Sequence, residues 1–255
     1  MSRGRLHLIP NTLDFGIEGA AGDLREVLPQ QVIETAARLT YWAAENAKTT
    51  RAFLKRVDAL QPLARPVQEQ DIRELPRAPK GKADTDMAAA WQALLAPALA
   101  GHDVGLISEA GLPAIADPGA QLVAAAHAAG VEVVPHAGPS SLLMALAASG
   151  LNGQSFAFVG YLPVDAAART ARIRELEALS ARQQQTQLMI ETPYRNGALL
   201  QALLAALKPQ TRLSISCGLS VPQGWTRSMS VAQWRKKENG ASLPDKIPAV
   251  FALLA

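Results

Sequence analysis

Only one cysteine, Cys217, occurs in the 255 residues. A lone thiol has no partner for an internal disulfide and cannot build a thiolate zinc site. Its setting, RLSISC at 212–217, is that of a buried apolar thiol rather than a nucleophile. The four histidines, His7, His102, His127 and His136, are scattered without an HExxH pattern or a pair at helical spacing, so no metal site is expected. Aromatic residues reach only 5%, which leaves few rings for stacking on unpaired bases. No run approaches the roughly 20 consecutive apolar residues that cross a bilayer, which removes a membrane as partner. The opening MSRGRLHLIP has no small-residue cleavage pattern and reads as a first strand, so a cytoplasmic location is expected. A large excess of one charge is also missing. The 25 Lys plus Arg against 22 Asp plus Glu leave +3, which permits RNA contact without pointing to it.

Familiar phosphate and nucleophile motifs are absent too. Gly16, Gly19 and Gly22 are spaced by threes, not as GxGxxG. There is no GxxxxGK[ST], and Ser140 and Ser141 do not sit in a GxSxG elbow.

What is present is a hydrophobic fraction of 49% with 18% charged residues, enough for one large domain or two. The dominant rhythm is strand, loop, helix. Short apolar runs at 6–10, 39–45, 102–108 and 131–135 alternate with helical spacing at 23–38, 49–60, 86–99 and 120–129. Residues 62–84, polar and carrying four prolines, read as a long exposed loop. Helices between short apolar strands imply βαβ units around a parallel sheet. Beyond the turn LNGQ at 151–154 come strands at 155–162, 186–191, 212–217, 226–231 and 249–254, with helices at 165–182 and 195–207. Two late strands in succession imply that the second sheet is partly antiparallel. The expected fold is α/β: two α/β domains, 1–153 and 154–255, the first sheet mainly parallel and the second mixed.

Ligands of parallel sheets bind beyond the carboxyl ends of the strands. Two Gly/Pro loops fall there, SEAGLPAIADPG at 108–119 and GPSS at 138–141. Small residues at Ala110, Gly111, Ala114 and Ala116 let backbone groups approach a ligand, while Pro113 and Pro118 fix the path of the chain. Ser140 and Ser141 can offer a hydroxyl and the free amides of a helix start. The alternative is that both loops are ordinary connections, with Ser140 a helix cap.

At the longer loop the chain resembles the tetrapyrrole methylase family. The segments VGLISEAGLP (104–113) and ADPG (116–119) are similar to its "LISDAGTPLISDPG" signature. VVPHAGPSS (133–141) is similar to "VVPIPGPSA", FVGYLP (158–163) to "FEGFLP" and ETPYR (191–195) to "E[SA]PHR". Within the family the resemblance is strongest to the branch that methylates a cytidine ribose 2′-hydroxyl in small-subunit ribosomal RNA. It implies an S-adenosyl-L-methionine-dependent methyltransferase, two α/β domains with the cofactor in the cleft between them, and a homodimer. The implied cofactor contacts are Pro10, Ala110, Gly111, Leu112, Pro113, Ile115, Ala116, Ser140 and Ser141, with Tyr161, Leu162, Pro163, Pro193 and Tyr194 from the second domain.

The departures cluster where an acceptor would be handled. PNTLDFG (10–16) stands in place of the family's "TPIGNL", and AENAKTTRAFL (44–54) in place of "AEDTRHTRKLL". The "HEHNE" segment is missing, and Glu109, Leu112 and Tyr194 stand for Asp, Thr and His. A hydroxyl acceptor benefits from a general base. Glu45 is the candidate, the alternative being a surface carboxylate at a helix start. Arg51 and Arg195 are candidates for an acceptor phosphate or carboxylate, against solvated helix arginines. An RNA acceptor would further use Arg73, Arg77, Lys80, Lys82, Arg235, Lys236 and Lys237. The other readings are methylation of a tetrapyrrole or other small molecule, or a non-catalytic S-adenosylmethionine-binding module.

Overall fold

The computed structural model describes residues 2–14, 22–76, 85–236, 243–244 and 246–255. Arg77, Lys80, Lys82, Lys237 and the glycines at 16 and 19 lie outside the described residues. The chain forms two compact units, Met1–Ser140 and Ser141–Ala255.

The first unit contains β1 (Leu6–Ile9), α1 (Gln30–Arg38), β2 (Tyr41–Ala44), α2 (Ala47–Asp58), β3 (Asp71–Glu74), α3 (Thr85–Leu99), β4 (Val104–Ile107), α4 (Ala120–Ala128) and β5 (Val133–Pro135). The strands form one sheet in the order β3-β2-β4-β1-β5, parallel at every pairing. A parallel sheet is covered on both faces, so its central strands must be apolar on both. The two-residue period divides them accordingly. Val104 and Leu106 of β4 pack with Leu6, Leu95 and Leu122, whereas Ile107 packs with Ile9, Trp42 and Phe53 on the opposite face. The buried indole of Trp42 donates to Gln70 Oε1 at 3.2 Å, which satisfies its N–H. Asn46 starts α2 by accepting from the amides of Lys48 and Thr49.

The segment read as a loop at 62–84 holds the edge strand β3, paired in parallel with β2 from Tyr41↔Asp71 to Ala44↔Glu74. Its sequence, DIRE, has a single apolar residue and carries no alternation to read. The strand exists through its neighbour's ladder, and its charges suit an edge. Arg73 is accordingly committed. It pairs with Asp71 at 2.7 Å and donates to the Ala93 carbonyl in α3 at 3.3 Å. That carbonyl lies four residues before Pro97, which sits inside the helix and has no N–H to offer it.

The second unit contains α5 (Ser141–Ser149), β6 (Phe156–Tyr161), α6 (Ala166–Gln183), β7 (Thr186–Glu191), α7 (Asn196–Ala206), β8 (Arg212–Cys217), β9 (Trp225–Ser230), α8 (Val231–Lys236) and β10 (Ala249–Leu254). The sheet order is β6-β7-β10-β8-β9. Only β6 and β7 run parallel, giving the mixed sheet expected. One core joins Ile173, Leu176, Leu199, Leu203, Trp234 and Phe251. A second core packs Leu142, Ala145 and Leu146 of α5 against Leu188, Val250 and Ala252. Because α5 buries its apolar side in this sheet, the units divide at 140/141 rather than at the turn near 153. Cys217 is buried, and burial pushes its thiol above the ordinary range, away from thiolate chemistry. Among the described residues no helix is long and apolar enough to cross a membrane.

Arg235, expected on a phosphate, instead serves the end of α7. Its guanidinium donates to the Leu204 carbonyl at 2.6 and 2.8 Å and to the Leu207 carbonyl at 2.9 Å. These are the carbonyls a helix end leaves without intrahelical partners. Arg235→Ala should therefore lower unfolding stability by about 1–3 kcal/mol in urea titrations, while Lys236→Ala stays near wild type.

Candidate functional site

From β1 the chain moves to β2 on one side of the sheet, and from β4 it moves to β5 on the other. The carboxyl ends of the adjacent strands β1 and β4 therefore open a crevice at a topological switch point. Three loops interlock there: 10–14 after β1, 108–119 after β4 and 136–140 after β5.

The lock is Asn11, buried to 7% exposure. Its backbone pairs both ways with Gly111, amide to carbonyl at 2.9 Å and the reverse at 3.2 Å. Its side-chain amide donates to the Ser108 and Glu109 carbonyls at 3.2 and 3.0 Å, and its Oδ1 accepts the Thr12 amide at 2.9 Å. Sequence reading passed over this residue. The available signal was an Asn directly after the proline that ends a strand, a type that bonds nearby backbone readily. Gly111 has φ 69°, and a Cβ there would lie 3.1 Å from Leu13 and 3.4 Å from the Pro139 carbonyl. At Gly138 a Cβ would overlap Pro10, standing 2.2 Å from its Cβ. Ala114 and Ala116 hold φ of 65° and 62°, a strain of roughly 1–2 kcal/mol each for a residue with a Cβ. This loop is thus held in shape by its neighbours rather than relaxed.

Beside the lock lies a cavity of about 350 Å³ whose wall includes Leu8, Leu112, Pro113, Ile115, Val123 and His136. Of the residues expected at a cofactor, Pro10, Ala110, Gly111, Leu112, Pro113, Ile115 and Ala116 thus gather on or beside one crevice. Ser140 closes the first unit and is buried.

Carboxylates ring the mouth of this loop. Glu45, one residue beyond β2, accepts the Glu109 amide on Oε2 at 3.0 Å, so one oxygen holds the loop in place. Asp117, which sequence reading left out of the candidate set, is the perturbed one. Burial, then repulsion from Glu45, with a smaller push from Glu109, raise its carboxyl from 3.8 to about 6 against the pull of the Ser108 hydroxyl. Groups tuned into this range recur where protons are moved.

Within the second unit the expected residues sit at the ends of β6 and β7. Tyr161 and Tyr194 are exposed, at 56% and 76%. Leu162 is buried in the core of the unit. Pro193 opens a short 3-10 turn, Pro193–Arg195. Arg195 is held by Glu191, whose Oε1 accepts from its Nε at 3.1 Å and its Nη2 at 2.8 Å. Ser141 opens α5 and Pro163 follows β6. Arg51 lies exposed on α2 in the first unit, donating to the Ala47 carbonyl at 3.3 Å.

The model of the Tetrapyrrole (Corrin/Porphyrin) Methylases matches residues 30–223. Ribosomal RNA small subunit methyltransferase I of Mesorhizobium japonicum is 41% identical over 122 residues, 48% of this chain and 40% of that protein. The protein of the same name from Escherichia coli O157:H7 is 29% identical over 206 residues, 81% of this chain and 62% of the relative. These matches therefore span less than two thirds of the length of either relative. The uroporphyrin-III C-methyltransferase of Thermus thermophilus, solved with S-adenosylhomocysteine, aligns with a TM-score of 0.53 at 18% identity, covering 98% of this chain and 97% of that one.

Two outcomes follow from this geometry. Asn11→Ala leaves the Ser108 and Glu109 carbonyls without their donor and should cost about 1–3 kcal/mol in chemical denaturation. Asp117→Asn acts through pH. Below pH 3.8 folded and unfolded chains both hold the proton. Between 3.8 and about 6 the unfolded chain releases it first, so wild-type stability declines across that window as pH rises. The variant should be more stable than wild type above about pH 6, by on the order of 1–3 kcal/mol, and equal to it below about pH 4.

Proposed function

Because the chain belongs to the tetrapyrrole (corrin/porphyrin) methylase family, we propose that it is an S-adenosylmethionine-dependent methyltransferase whose cofactor lies against the interlocked loops of the first unit. The observation that carries this reading is the pair of close approaches at Gly138, where a Cβ has no room, and Gly111, where a Cβ would crowd Leu13 at a left-handed φ. There the backbone of one loop is packed onto the next, beside the apolar cavity walled by Leu112, Pro113 and Ile115. Such a crevice suits a ligand that mixes apolar surface with groups recognised by backbone amides and carbonyls.

When bound, S-adenosylmethionine supplies an activated methyl group on a sulfonium sulfur. The chain's own contribution is alignment and exclusion of water. Leu112, Pro113 and Ile115 form an apolar wall, and the Asn11 lock keeps residues 108–111 from relaxing. Asp117, ionised above about pH 6, is proposed to take the proton of a hydroxyl acceptor, with Glu45 as the second candidate base. Arg51 and Arg195 are proposed to hold an anionic acceptor. For Arg195 that means sharing a guanidinium already paired with Glu191.

The proposed acceptor is ribosomal RNA, supported by the names of the curated relatives, with a ribose hydroxyl as the acceptor group that the motif resemblance implies. The enzyme is proposed to work in the cytoplasm as a homodimer. A second reading, cofactor binding without catalysis, is favoured by the engagement of Glu45 with the Glu109 amide and of Arg195 with Glu191.

Titration with S-adenosylhomocysteine should show saturable binding, and Gly111→Val should weaken it tenfold or more, since valine meets both a left-handed φ and a crowded site. Unchanged affinity in the variant would move the cofactor away from this loop. Transfer of a labelled methyl group to small ribosomal subunits, with no transfer to porphyrinoids, is the expected outcome. The reverse pattern would assign a tetrapyrrole acceptor, and tight binding with no transfer to either would assign the binding module. Transfer to the preferred acceptor should rise as pH passes upward through about 6 and lose that step in Asp117→Asn.

A further inference from the structure

Three side chains form a line across the parallel sheet that the family resemblance does not use. Asp103, just before β4, accepts on Oδ2 from His7 Nε2 at 3.2 Å, and His7 Nδ1 lies 3.0 Å from His136 Nε2. His7 is on β1 with 1% exposure, and His136 follows β5 on the wall of the cavity. The two imidazoles lie nearly parallel, at 27° with centroids 5.3 Å apart.

A proton count fixes the hydrogens. Burial alone would raise the Asp103 carboxyl, but the Arg5 amide, His7 and the Arg5 guanidinium outweigh it and hold the group below the ordinary range, so it is an acceptor only. His7 must therefore carry its proton on Nε2. Burial pushes His7 down, beyond the opposing pull of Asp103, so the ring is neutral and its Nδ1 is a bare lone pair. His136 must then donate from Nε2. Burial, His7 and Arg38 likewise lower His136, which leaves it neutral with Nδ1 as an acceptor. His136 is the ionisable side chain on the wall of the cavity; the other lining residues are aliphatic or proline.

We propose that His136 contacts the cofactor: its Nδ1 accepts a hydrogen bond from an N–H or O–H donor of the ligand in the cavity, with Asp103 and His7 acting as positioning residues that fix its tautomer. This rests on the cofactor reading given above. An apolar cavity with one fixed acceptor selects a ligand whose donor falls at that point, because elsewhere in the cavity the donor would be buried unpaired. The charged and titratable groups around the line are Arg5 on the chain leading into β1, Asp103 before β4 and Arg38 at the end of α1. Asp117, in the 108–119 loop, titrates in the same region and has to be removed from the measurement.

The test is calorimetric titration with S-adenosylhomocysteine, together with nitrogen NMR of the imidazoles, in an Asp117→Asn background. At about pH 7.5 the spectra should show His7 and His136 neutral and protonated on Nε2, with the His136 Nδ1 signal moving on ligand addition. Affinity should fall as pH is lowered past the ordinary imidazole range, where protonation converts the acceptor to a donor. His136→Ile, an aliphatic replacement on a half-buried edge position, should bind roughly three- to tenfold more weakly at neutral pH and lose the pH dependence. Asp103→Asn should give mixed tautomers and an intermediate loss. If His136→Ile binds as tightly as its parent with the same pH profile, the proposal is wrong while the cofactor reading stands. If the unsubstituted chain does not bind S-adenosylhomocysteine at all, both fall.

Discussion

The two-way backbone pairing between Asn11 and Gly111 is the constraint on which the rest of the crevice depends. Parallel strands end in connections that have no ladder of their own, so their loops need outside partners to hold a shape. Here the loop after β1 supplies those partners to the loop after β4, through both the backbone and the Asn11 side chain. The same contact brings Leu13 and Pro139 against Gly111, so the third loop packs onto the lock as well. One paired residue therefore sets the relative position of three chain segments. The left-handed alanines at 114 and 116 can persist because the structure on either side is already fixed.

The surrounding electrostatics follow from that rigidity. Glu45 is held by the Glu109 amide, Glu109 is carried on the locked loop, and Asp117 is half-buried within reach of the charge of both. None of the three can move far from the others, so their repulsion is not relieved by rearrangement and falls on the least solvated member. The raised carboxyl at Asp117 is thus a property of the loop more than of the residue. At the other end of β4 the opposite arrangement holds. There an ionised Asp103 is satisfied by Arg5 and His7, and the proton inventory propagates inward from it.

Much of this architecture was legible in the amino-acid pattern. Apolar runs such as VGLI at 104–107 and helical spacing such as that of Phe53, Leu54 and Val57 placed the strands and helices, because burial on defined faces writes itself into periodicity. The motifs of the 108–119 loop identified the crevice. Features owed to partners distant in sequence were not legible. The strand DIRE has no apolar alternation and exists through its pairing with β2, and α5 joins the second unit by packing that no local signal announces. Basic residues were the hardest to assign. Arg73, Arg195 and Arg235 carry the same charge in the sequence, yet each is occupied by a different structural partner, an edge-strand aspartate, a buried glutamate and a helix end. Charge counts sum such residues, whereas only geometry says which guanidinium is spent.

The donor that Arg73 sends to Ala93 links two positions that are not otherwise related. Pro97 removes an amide from α3, and an edge strand returns a substitute from outside the helix. An amide at position 97 would close the helical bond internally and make the arginine's contribution redundant, whereas loss of the arginine with proline retained leaves that exposed carbonyl to water. The edge strand thus repairs from outside a gap that the helix's own sequence opens, and couples two elements that share no apolar contact through this pair.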